Sequence, residues 1–135
     1  MAEDGVVKEQ LTAEMIEAGA ELTQSLDDLG LPVQAAFWLF DPEINEWRLV
    51  IASSEAAARG PRAVYGRIQE ALDQLGAQAS AAPFSAIRVV EPGAELVRLL
   101  GTAVRTGSGI GRIRFQKNVI NGHFIDDALI YRSAG

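Results

Sequence analysis

His123 is the chain's single histidine, and Asp126 and Asp127 follow it closely. An imidazole beside two carboxylates has the parts of a general acid/base pair, or of a small metal-dependent hydrolase or nuclease. Several features weigh against that chemistry. One histidine excludes a multi-histidine metal site, and the absence of cysteine excludes thiolate ligands and cysteine nucleophiles. No Gly-x-Ser-x-Gly elbow supplies a serine nucleophile. Adjacent strand residues point to opposite faces, so Asp126 and Asp127 reach one cation only if the strand is irregular there. Lys117, opposite Asp126 in the hairpin register given below, is a sufficient partner for it. His123, Asp126 and Asp127 stand as weak catalytic candidates, with Asp41 and Glu43 as distant helpers for Mg²⁺ or Mn²⁺. No metal site and no cofactor is expected.

Thr106-Gly107-Ser108-Gly109-Ile110-Gly111 has the composition of a phosphate-cradling loop. Such loops follow a strand and open a helix. Here a helix precedes and a strand follows, and the lysine of the Walker pattern is missing. Gly107 reads as the residue that ends a helix. The basic run beyond it carries more weight. Arg112 and Arg114 alternate with apolar residues, and Lys117 follows. With Tyr131 they give a polar, cationic face bearing an aromatic, suited to phosphate or single-stranded nucleic acid. The competing reading is a hairpin whose solvent face needs charge. Trp38, beside Phe40, is either core packing or, if exposed, a protein contact.

The elements that carry these residues are legible from periodicity and turn chemistry. Thr12 caps a helix over 13–29, with Leu11 and Ile16 as a staple and Met15, Leu22, Leu26 and Leu29 as its apolar stripe. Gly30 and Pro32 end it. Strands over 33–40 and 47–52 flank the turn Asp41-Pro42-Glu43-Ile44-Asn45-Glu46. The first, apolar on both faces, belongs inside the sheet; the second, carrying Arg48, reads as less buried. Residues 53–59 read as a small-residue connector. Pro61 opens a second helix through Val64, Ile68, Leu72 and Leu75, closed by Gly76. A loop over 77–85, a strand over 86–90 and a third helix over 94–105 follow. Asn121-Gly122 predicts a two-residue hairpin turn pairing Ile120 with His123, Lys117 with Asp126 and Ile113 with Ile130; a turn at Lys117-Asn118 is the alternative. In this register Arg112, Arg114, Gln116 and Asn118 share a face with His123, Asp127 and Tyr131. The expectation is a single α+β domain over 1–135, in the order α-β-β-α-β-α-β-β, with helices packed on a mixed or antiparallel sheet. Residues 1–10 are expected to be extended or poorly ordered, and 133–135 a tail.

The chain has 135 residues, is 48% hydrophobic and carries a net charge of −6. That length supports one core without staples. The charge argues against strong non-specific binding to nucleic acid or anionic membrane. No secretory signal or spanning segment is visible, so a cytoplasmic location and no membrane contact are expected. Residues 1–60 hold 3 basic and 12 acidic side chains, and residues 61–135 hold 9 and 6. Such halves complement each other within a fold or across a dimer. The leading functional reading is a non-enzymatic protein-interaction module or homo-oligomeric subunit, most simply a dimer. Nucleic-acid or phosphate binding through Arg112, Arg114 and Lys117 comes second, and a small hydrolase or nuclease third.

Overall fold

Five strands form one mixed sheet in the order β3-β2-β1-β5-β4, in a computed structural model that describes residues 7–134. The strands are β1 (Ala35–Asp41), β2 (Glu46–Ala52), β3 (Ile87–Val90), β4 (Ile113–Ile120) and β5 (His123–Ser133). Only the β2–β3 pairing is parallel. The order of elements is the expected one, with one addition. The helices are α1 (Ala13–Asp28), α2 (Ser54–Arg59), α3 (Pro61–Leu75) and α4 (Glu95–Ala103).

β1 lies at the centre, which is why both its faces are apolar. Ala36, Trp38 and Phe40 join the core under α1 and α3, while Ala35 and Phe37 join the core under α4. β2 is also interior, and only Glu46 at its start is exposed. Arg48 stays half-buried by pairing with Glu46 at 2.8 Å.

α1 begins where expected. Thr12 Oγ1 accepts from Met15 N at 3.1 Å, and Met15 Sδ accepts from Thr12 N in return. At its end, Gly30 takes φ +80° and donates to Asp27 O, while Leu31 donates to Leu26 O. That is the paired hydrogen-bond pattern of a Schellman cap. Leu22 and Leu26 are fully buried against Ile68 of α3 and the sheet; Met15 and Leu29 pack at the margin.

α2 occupies the segment read as a connector. Ser53 Oγ accepts from Glu55 N, and Glu55 pairs with Arg59 at i,i+4. These supports and the alanine run sustain a helix of six residues. Gly60 at φ +89° then turns the chain directly into α3, whose first residue is Pro61.

The last hairpin turns at Asn121-Gly122, with both residues at positive φ, as a type I′ turn requires. Ile113 pairs with Ile130 and Ile120 with His123, the expected register. The Lys117-Asn118 alternative leaves one trace. Lys117 stands at φ +46°, and the ladder is interrupted there between Gln116–Asp127 and Asn118–Ile125. β5 continues to Ser133, buried and paired with Ala35, so strand structure reaches into the expected tail. Lys8, Glu9 and Gln10 lie in neither helix nor strand. The earlier part of the N-terminal segment lies outside the described residues.

Candidate functional site

The structure takes Trp38 into the core, the first of its two readings, and corrects Tyr131, which was expected on the polar face of the hairpin. Both are fully buried beneath α1. Trp38 Nε1 donates to Met15 O at 3.1 Å and Tyr131 Oη at 3.0 Å, and Tyr131 Oη donates to Ile16 O at 2.6 Å. Burial pushes the Tyr131 phenol well above its ordinary pKa. The pair fastens a helix to the sheet and offers nothing to a ligand.

Arg114 and Lys117 on β4, and Arg112 just before it, each meet a carboxylate of the same chain. Arg112 reaches Glu17 of α1 at 2.7 Å, Arg114 grips Asp127 through two hydrogen bonds of 2.6 and 2.7 Å, and Lys117 lies 3.4 Å from Asp126. The single face expected for this hairpin is divided. Asp127, Leu129 and Tyr131 point towards α1, whereas Ile120 and Ile125 join the core under α4. Strict alternation would have put Ile125 with Leu129. The reversal falls at Asp126, opposite left-handed Lys117, and it sends His123 to the α4 side, 3.5 Å from Glu95.

The same irregularity lets adjacent carboxylates reach one cation. Lys8 Nζ sits 2.9 Å from Asp126 Oδ2 and 2.9 Å from Asp127 Oδ2. The first contact is an ion pair rather than a directed hydrogen bond, since Asp126 Oδ2 has no donor aimed at it. The Lys8 ammonium also lies 4.8 Å from the ring centre of Phe40. Burial alone would raise the Asp127 carboxyl, but Arg114, Lys8 and Gln116 outweigh it and hold the pKa at about 2. Lys8, then Lys117, lower Asp126. The sequence reading missed Lys8, because nothing local ties it to residues more than a hundred positions away. Its segment is fixed by Asn45, whose side chain accepts from Glu9 N and donates to Val7 O, and by Trp47 Nε1 donating to Glu9 O. Among the described residues no group of three His, Asp or Glu side chains could hold a metal ion.

The glycine-rich stretch is a link between α4 and β4. Thr106 N donates to Ser133 O, Gly111 N to Tyr131 O and Arg132 Nε to Gly109 O, so both its ends are tied to β5.

Among its exposed polar residues the hairpin also presents two large apolar side chains near its tip. Val119 and Phe124, directly paired near the turn, are 61% and 58% exposed. Phe124 also rims a groove of about 330 Å³ between α4, the β1–β2 turn and the hairpin. Leu39, Pro42, Leu96 and Leu99 line it, with Arg48, His123, Asp41 and Glu95 at its margin. The groove exists because α4 has only nine residues and covers part of its sheet face. No described helix is long and apolar enough to cross a membrane. No protein-family model, curated protein or solved structure matches the chain.

Proposed function

We propose that this chain is a protein-interaction module that works as a homo-oligomeric subunit, docking through the α4 groove and the β4–β5 tip. The observation that carries the reading is the exposed Val119–Phe124 pair standing beside an apolar groove on the same molecule. A two-fold arrangement would seat each tip in its neighbour's groove, the self-complementary geometry of most dimers. The groove lining carries both charge signs, Arg48 with Asp41, Glu95 and Asp126, so a second copy can pair opposite charges across it. Nucleic-acid binding through the hairpin has weaker support, because Arg112 and Arg114 are already paired with carboxylates.

Sedimentation over a micromolar range tests this. The expected result is a dimer that the double variant Val119→Asp, Phe124→Asp converts to a folded monomer. A protein monomeric at every concentration would overturn the reading.

A further inference from the structure

We infer a second site on the opposite flank of α4: an anion pocket that takes a phosphoryl group between Arg98 and Arg105. The pocket is a cavity of about 400 Å³ lined by Pro92, Val97, Arg98, Gly101, Arg105 and Ser133, with Thr102 at its edge. Its charge sets it apart. Four other cavities on the described surface each have at least one carboxylate in their lining: Asp41, Glu9, Glu95 and Glu91 are examples. This one has two arginines and no carboxylate, on a protein of net charge −6.

The arginines are also uncommitted. Ion pairs engage Arg48, Arg59, Arg67, Arg112, Arg114 and Arg132, whereas among the described residues neither Arg98 nor Arg105 has a carboxylate partner. Two guanidiniums flanking a cleft present planar donor forks that match phosphoryl oxygens. The spacing follows from the helix. Arg98 and the following Gly101 and Thr102 lie on one flank of α4; the chain leaves the helix in extended form at Val104, and Arg105 beyond it completes the lining.

Gly101 makes the floor. It sits inside α4, where alanine would serve the helix better, and a Cβ placed there would approach nothing closer than Ser133 Oγ at 3.8 Å. Its missing side chain is thus open space in the pocket rather than a packing requirement. The Ser133 hydroxyl is the third polar group within the lining. The Thr102 hydroxyl is not a free donor, since it bonds to Leu99 O at 2.7 Å. The C-terminal end of α4 opposes an anion with about half an elementary charge, which two full guanidinium charges exceed. The volume falls near the lower end of the small-molecule range, about 300–1,000 Å³, and leaves room beyond the phosphoryl group itself.

The test is an amide chemical-shift titration of the full chain at low ionic strength, with inorganic phosphate and glycerol 3-phosphate as probes. Saturable shifts at Thr102, Arg105 and Ser133 that weaken with added NaCl are expected. Arg98→Gln with Arg105→Gln should weaken binding by about tenfold or more. Arg62→Gln, an exposed arginine outside the pocket's lining, should not. Gly101→Leu, its fold checked by Tm, should weaken binding without changing charge. Tighter binding of the ester would assign the site to a phosphorylated small molecule, and equal binding to free phosphate. Absence of saturable shifts, or an equal loss in Arg62→Gln, would overturn the inference. The Val119→Asp, Phe124→Asp variant should retain the site, so its failure and that of the docking reading are separable.

Discussion

Gly19 is where α1 comes closest to the sheet. A Cβ there would stand 2.3 Å from Tyr131 Oη and 2.7 Å from Trp38 Nε1. No side chain fits without breaking the hydrogen bonds that tie Trp38 and Tyr131 to the helix backbone. Gly19→Ala should therefore destabilise by about 1–3 kcal/mol or more, an overpacking effect that overrides the better helix propensity of alanine. Gly101→Ala should have the opposite sign, about 0.5–1 kcal/mol stabilising, because its Cβ meets only ordinary contact. Urea denaturation of the two variants measures both, and equal signs would refute this account of Gly19. Asp127 makes a further claim at this scale. Its side chain is 1% exposed and its pKa lies at about 2, below the ordinary 3.8. A carboxyl lowered on folding stabilises above its unfolded pKa, and that contribution drains away as pH falls from about 4 towards 2. The stability lost should be about 2 kcal/mol. Asp127→Asn should be less stable at neutral pH and show a flatter acid limb. Parallel wild-type and variant profiles would show that the Arg114 and Lys8 contacts do not act on this carboxyl.

Elements form here from local instructions joined by a few long contacts. α1 shows the first kind: cap, stripe and Schellman glycine were all readable, since each depends on neighbours within a turn or two. Leu26 is completely buried, so Leu26→Ala should cost about 2–5 kcal/mol in chemical denaturation, and a loss below about 0.5 kcal/mol would place the stripe at the surface. The final hairpin was legible in its turn and register for the same reason. Its faces were not, because strict alternation fails where Lys117 turns left-handed, and the signal at Lys117-Asn118 reads as a competing turn rather than as a switch of faces within one strand. α2 was written in Ser53, the alanine run and the Glu55–Arg59 spacing. Its shortness and the glycine after it made it look like a connector. The candidate site was the least legible part. The Lys8 cluster, the α4 groove and the burial of Trp38 and Tyr131 all depend on which strands become neighbours. The order β3-β2-β1-β5-β4 is a non-local outcome that spacing along the chain does not encode.

At the scale of the whole molecule, the acidic first half and the basic second half meet each other inside the fold. Arg132 on β5 holds Asp27 at the end of α1 through two hydrogen bonds of 3.0 and 2.7 Å, and Arg112, just before β4, reaches Glu17 on the same helix. The two links are not equal. The Arg112–Glu17 pair lies in solvent, where Coulomb attraction is screened and side-chain entropy opposes it. The Arg132 guanidinium is 4% exposed and also donates to Val33 O at 3.1 Å and Gly109 O at 3.1 Å. It joins α1, the segment entering β1 and the loop before β4 to one strand. Arg132→Gln leaves those two carbonyls without their donor and Asp27 without its partner, and should cost about 2–4 kcal/mol. Arg112→Gln should leave the denaturation midpoint where it is. Raising salt should narrow no part of the Arg132 gap, because a desolvated bidentate pair is little screened. A polyanion assay on the same variants completes the comparison. With Arg112 and Arg114 held by Glu17 and Asp127, Arg112→Gln with Arg114→Gln should leave single-stranded DNA binding as weak as in the wild type. A clear salt-dependent affinity in the wild type, lost in that double variant, would show that these arginines leave their carboxylates for phosphate. The charge asymmetry would then belong to a ligand rather than to the fold.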